Sequence, residues 1–172
     1  MTTTKYYYPF FLIAVVLLSG CIKIQPGYTN ITRTDANGHV DYTNVDNSDW
    51  TEDKDWNTSE ENLFQQASEP IDSTFTKTYV TVEPGYPNPC NTDTFRVRFA
   101  SAGKCQLNYV VTDDKLKVIL PMRTARLNLG YNTIKVPTQN FNKGDNYRMY
   151  YIFSGYKNFE FYKGHGDIAM AE

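Results

Sequence analysis

The chain has 172 residues, with 17 Lys+Arg against 19 Asp+Glu, two His, three Cys and 14 Tyr. That length suits one ordinary domain with extensions, and the near balance of charge excludes an obvious nucleic-acid binder. A mean hydropathy of −0.52 excludes a polytopic membrane protein, yet the average hides Phe10 to Leu18, which reads FFLIAVVLL without a polar residue.

The leading segment has the order of a secretory signal. Lys5 and the amino terminus supply positive charge, the apolar run follows, and Ser19-Gly20 are small enough for a signal peptidase. As a helix the run rises only about 14 Å, roughly half a bilayer core, so it reads as a signal rather than a span. Leu18-Ser19-Gly20-Cys21 resembles the lipobox of bacterial lipoproteins. The resemblance covers residues 1–21 and implies cleavage between Gly20 and Cys21, with acyl chains on Cys21 as a lasting membrane anchor. By the same resemblance, Ile22 in place of Asp favours the outer membrane. The lack of an acidic cluster directly after Cys21, unlike surface-exported lipoproteins of the Bacteroidota, favours its periplasmic face. The competing reading is an ordinary cleaved signal with an incidental cysteine.

Residues 21–73 are rich in Asn, Thr, Ser and Asp, and hold nine acids between Asp35 and Glu61 against Lys54 alone. This composition predicts an acidic, partly disordered tether. A β-hairpin is expected over residues 31–43, where Asn37-Gly38 suits a turn with positive φ, but a lone hairpin needs a partner surface. Trp50 and Trp56 alternate with acids, and residues 59–66 predict one or two helical turns before Pro70. Asp35, Asn37 and Asp41 resemble a calcium loop only in part, since Gly38 and His39 break the ligand spacing.

Residues 74–172 change to strict alternation. A leading strand is expected over residues 76–82, followed by Phe95-Val97-Phe99, Leu107-Tyr109-Val111, Leu116-Val118-Leu120, Ile134-Val136, Tyr147 to Phe153, and Phe159-Phe161. Turn signals separate them, including Pro84-Gly85, Asp113-Asp114, Gly130 and Asn142-Lys143-Gly144-Asp145. About seven strands at short spacing predict an all-β antiparallel sandwich. Tyr86-Pro87-Asn88-Pro89-Cys90, residues 94–99, residues 107–113, Leu129-Gly130-Tyr131-Asn132 and Gly144-Asp145-Asn146-Tyr147 together resemble two families. These are the Ig-like sandwich of flagellar hook-cap FlgD-type domains and that of the C-terminal domains of type IX secretion cargo. The resemblance spans residues 78–163 and implies an Ig-like fold. The chain lacks the basic C-terminal finish of sorted cargo, so no sorting role is carried over.

Signs of chemistry are sparse. Cys90 and Cys105 either form a disulfide in the oxidising envelope or remain buried thiols, and strand spacing sets them about 20 Å apart, against pairing. His39 and His165 stand far apart in sequence. Gly164-His165-Gly166-Asp167 reads either as a backbone–ligand approach or as a strand connection with an exposed His. No nucleophile elbow, phosphate loop, Cys–His pairing or metal-ligand spacing is present, so a non-enzyme without cofactor or metal is expected. Tyr150, Tyr156 and Tyr162, with Arg96 and Arg98, are candidates for an outward interaction face. Such a face suits a protein partner or a glycan, and Tyr is also a good strand former. Residues 22–73 hold eleven acids against three bases, and residues 74–172 hold thirteen bases against eight acids. The arm therefore either folds back on the sandwich or meets a different partner. The expectation is a lipid-anchored accessory subunit of an envelope protein assembly, with glycan capture as the alternative.

Overall fold

The computed structural model describes Tyr28 and residues 30–65, 78–155 and 160–172. These residues form the expected antiparallel β-sandwich. In chain order the elements are β1 (Thr51–Glu52), α1 (Thr58–Glu61) running into a 3-10 turn (Asn62–Phe64), β2 (Val80–Val82), β3 (Thr94–Ser101), β4 (Cys105–Thr112), β5 (Val118–Leu127), β6 (Gly130–Pro137), β7 (Asn146–Ser154) and β8 (Glu160–Ala169). One sheet has the order β1-β8-β7-β4-β5 and the other β2-β3-β6.

Period-two alternation builds the core. Phe95, Val97 and Phe99 of β3 meet Leu107, Tyr109 and Val111 of β4 and Met149, Tyr151 and Phe153 of β7 in one buried cluster. Phe99 sits edge-on to Phe153 at 5.2 Å and to Tyr151 at 6.1 Å, the arrangement aromatic quadrupoles favour. Each such side chain contributes about 1.5–3 kcal/mol on burial.

Two strands outrun their sequence patterns. β5 continues past Pro121 to Leu127, because Pro121 lies where the register slips between Tyr109↔Arg123 and Val111↔Leu120, so no ladder bond needs its missing N–H. β8 runs unbroken through Gly164-His165-Gly166, the stretch that the sequence also allowed as a strand connection.

The larger departure concerns the arm, whose described residues 30–65 belong to the sandwich instead of standing off from it. The expected hairpin reduces to one bridge, Thr34↔Val40, around Gly38 at φ +87°. Its partner surface is Asn88: Thr34 N–H donates to the Asn88 carbonyl (2.8 Å), and Asn88 N–H donates back (3.1 Å). Trp50 then enters the inner core, β1 pairs with the edge of β8 (Thr51↔His165, Glu52↔Gly164), and Trp56 and Phe64 settle on the outer face over Val110, Tyr150 and Ile152. Asn57 and Glu60 close a reciprocal capping box on α1. The arm thus wraps around one lateral edge and packs on both faces of the five-stranded sheet.

Candidate functional site

The motif Gly164-His165-Gly166-Asp167 is the seat of this wrap. In the β7–β8 register Gly164 stands opposite Tyr151 and Gly166 opposite Met149, both inward positions, whereas His165 and Asp167 stand opposite outward Tyr150 and Arg148. Both glycines leave room for the arm. A Cβ on Gly164 would overlap the Thr51 carbonyl oxygen, and one on Gly166 would overlap the Trp50 ring. Trp50 fills that space at 3% exposure, stacked on Phe95 (5.9 Å) and Tyr151 (6.4 Å). It does so at φ +61°, a left-handed conformation that costs a bulky residue about 1–2 kcal/mol and persists because the packing over-determines it.

Polar groups complete the clasp. The His165 Nδ1 and Asp53 Oδ2 atoms are 2.7 Å apart. Asp167 receives a bidentate pair from Arg148, with Nε to Oδ1 at 2.6 Å and Nη2 to Oδ2 at 2.7 Å, and Tyr28 places its ring 5.2 Å from the same guanidinium. The Asp49 carboxylate accepts the N–H of Asp167 (2.6 Å) and of Thr32 (3.2 Å). Burial, with the nearby charge of Asp167, pushes the Asp49 carboxyl up to about 7. Asn88, fully buried between Pro87 and Pro89, donates to the carbonyls of Thr32 and Asp167 and accepts from the N–H of Ala169, each at 2.9 Å. It ties arm to β8 through a single side chain. Reading the sequence alone missed Asp49, Asp53 and Asn88; an Asn held between two prolines was the available signal.

The sequence-derived site residues fall out as follows. Gly20, Cys21 and Tyr156 lie outside the described residues. Cys90 and Cys105 are buried free thiols, so the disulfide alternative is corrected: Cys90 lies beside Met170 through a parallel bridge, while Cys105 opens β4 against Leu127. Tyr150 does lie on the outward side of β7, but it is fully buried beneath Trp56, edge-on at 5.5 Å, with its hydroxyl donating to Glu60 (3.0 Å). It is therefore no part of an exposed face. Tyr162 stands opposite Phe153 on the inward side of β8, half-buried and stacked on Tyr151 at 6.4 Å, so it too is no part of an outward face. His165, read from sequence as exposed if the motif were a connection, is instead partly buried in β8. The Asp35 carboxylate accepts the N–H groups of Asn37 and His39 and meets the His39 ring, while Asp41 turns to Thr43 and Asn44, so the two acids serve separate turns. Among the described residues no cluster of His, Cys, Asp and Glu has a metal-holding arrangement.

Arg96 and Arg98 lie half-buried on the outer face of the small sheet, where Arg98 pairs with Glu83 (3.2 Å) and stands over the Tyr86 ring (5.7 Å). Of the exposed aromatics missed by the sequence reading, Tyr131 (75% exposed) shares this face with Leu129 (73%) beside it. Tyr79 (74%) lies at the β2 edge bordering a cleft with Trp50 and Tyr162, and Tyr42 (88%) lies on the arm. The β3–β6 register sets Tyr131 opposite Ala100, so a small alanine lies beside its ring. No protein-family model matches the chain, and no curated protein is significantly similar to it.

Proposed function

We propose that this chain is a lipid-anchored, non-catalytic structural or accessory subunit of a protein assembly at the outer membrane, facing the periplasm. The observation that carries the reading is the wrap of the arm. Its buried carboxylates, His165 and aromatic rings are spent on holding Trp50 and β1 against β8, as in a structural clasp. The wrap also shortens the tether. With Tyr28 already packed against Arg148, only seven residue steps separate Cys21 from the folded body, a reach of about 25 Å at most. An acylated Cys21 would hold the sandwich close to the membrane, with its clasped edge occupied and the opposite edge, β5 and β6, turned to partners.

Pull-down from gently solubilised membranes tests the role: a specific protein partner is expected, and recovery of the chain alone at every salt concentration would refute it. Replacing Cys21 by Ala should release the protein into the soluble fraction; retention in the membrane would overturn the anchor. A second reading, glycan capture, draws on Tyr131, exposed beside Leu129 on the outer face of the small sheet. It predicts glycan-array binding that is lost on Tyr131→Ala and unaffected by Tyr162→Ala.

A further inference from the structure

Resting on the subunit reading, we propose that the free edge of β6 receives an extended, acidic segment of the partner protein as a fourth strand of the small sheet. The direction of backbone bonding shows which groups are available. Arg96 exchanges both of its backbone bonds with Tyr86 (2.8 Å each), and the Arg98 carbonyl accepts from Glu83 N–H (2.9 Å), so these residues of β3 bond towards the β2 side. By the alternation of an antiparallel ladder, Phe95, Val97 and Phe99 bond towards β6, where they meet Val136, Ile134 and Asn132. The intervening residues Tyr131, Thr133 and Lys135 therefore direct their N–H and C=O groups to the open side.

Other edges are guarded in the usual ways. β1 and β2 have two and three residues. β5 carries Pro121, the register slip, and exposed Arg123 and Arg126. β6 has eight residues, a proline only at its last position and a single charge, Lys135. Its inward side chains are also incompletely covered: Ile134 is only half-buried, as are Ile119 and Ala125 of β5. Apolar side chains of an added strand would fill that gap.

The outward side sets the chemistry of the occupant. Leu129 and Tyr131 stand exposed at one end, and Lys135, opposite Arg96, at the other. Among the described residues neither Arg96 nor Lys135 is ion-paired, whereas Arg98 is held by Glu83. A strand with an apolar residue beside Tyr131 and an acid beside Lys135 complements both ends. A second copy would bring the same uncompensated bases to the seam, and a glycan offers no ladder of donors and acceptors at strand spacing.

The test places a photoreactive phenylalanine analogue at Tyr131 of the membrane-anchored protein, irradiates cells, and identifies adducts by mass spectrometry, beside the pull-down described above. The expected adduct lies in an extended acidic segment of a second protein. Thr133→Pro, which removes an outward N–H without touching the β3 ladder, should lower it at least tenfold. Lys135→Glu should lower it several-fold, and Thr133→Val should leave it unchanged. Lys135→Glu alters only an exposed side chain and so decides the matter even if Thr133→Pro fails to fold. An adduct indifferent to Lys135→Glu, an adduct to a second copy or to polysaccharide, or no adduct while the pull-down yields a partner, would each overturn the edge assignment and leave the subunit role standing. A pull-down that yields nothing would overturn both.

Discussion

Gly166→Ala is the sharpest perturbation of the clasp. The added methyl falls within the van der Waals envelope of the Trp50 ring atoms Cδ2, Cε3 and Cε2, and that ring is fixed between Phe95 and Tyr151. A flat ring stacked on both sides cannot yield by the missing distance, so Trp50 must leave the core. Losing a buried Trp costs about 3–5 kcal/mol, and Gly166→Ala should cost as much. Trp50→Ala should cost a similar amount by itself. In the Trp50→Ala background the space beside Gly166 is open, and Gly166→Ala should then cost less than about 1 kcal/mol. The coupling, about 3 kcal/mol, can be read from urea unfolding of the four proteins as a double-mutant cycle. Fluorescence supplies a second readout, because the chain has two Trp and only Trp50 should move to water in the glycine variant. Additive costs, or a neutral Gly166→Ala in the parent, would refute the assignment of β8 glycines to the arm.

The arm should hold better in mild acid than in mild base. Asp49 has its carboxyl raised from 3.8 to about 7 by burial and by Asp167, so the folded state favours the neutral form. That stability is fully present below about pH 4 and is lost as pH rises through about 7, a contribution on the order of 4 kcal/mol. Urea unfolding at pH 5 and pH 8 should show the fall, and Asp49→Asn should flatten it; a stability that rises over this interval would contradict the account. Arg148→Met leaves the Asp167 carboxylate, 2% exposed, without its bidentate partner and should cost about 3–5 kcal/mol, partly restored by adding Asp167→Asn. Were Arg148→Met neutral in urea unfolding, the pair would not hold β7 to β8 as described. Cys90 and Cys105 should resist thiol reagents in the native protein and both react once it is unfolded without reductant; silence after unfolding would indicate a disulfide after all.

Much of the fold is local in origin and was legible. Alternation in residues 94–99, 107–111 and 147–153 marks one dry face per strand, and two dry faces can only close on each other, which is why a sandwich of about seven strands follows. The Asn37-Gly38 turn and the short helix beginning at Thr58 are likewise decided within a few residues. The candidate site was legible only in part. Gly164-His165-Gly166-Asp167 stood out, but its glycines admit Thr51 and Trp50, more than a hundred residues earlier in the chain. Tyr150 was correctly set on the outward side of its strand, and nothing near it in sequence announces that Trp56 and Phe64 lie on top.

The sequence by itself determined the strand pattern and the turns. Tertiary structure alone decided that residues 30–65 of the acidic arm are part of the domain, that the β8 glycines serve packing, and that β6 is the long, unguarded edge. Strand propensity and alternation act between neighbours and repeat every two residues. Contacts such as Asp49 to Asp167, 118 positions apart, depend on which edge of the finished sheet the arm can reach, and no local period encodes that.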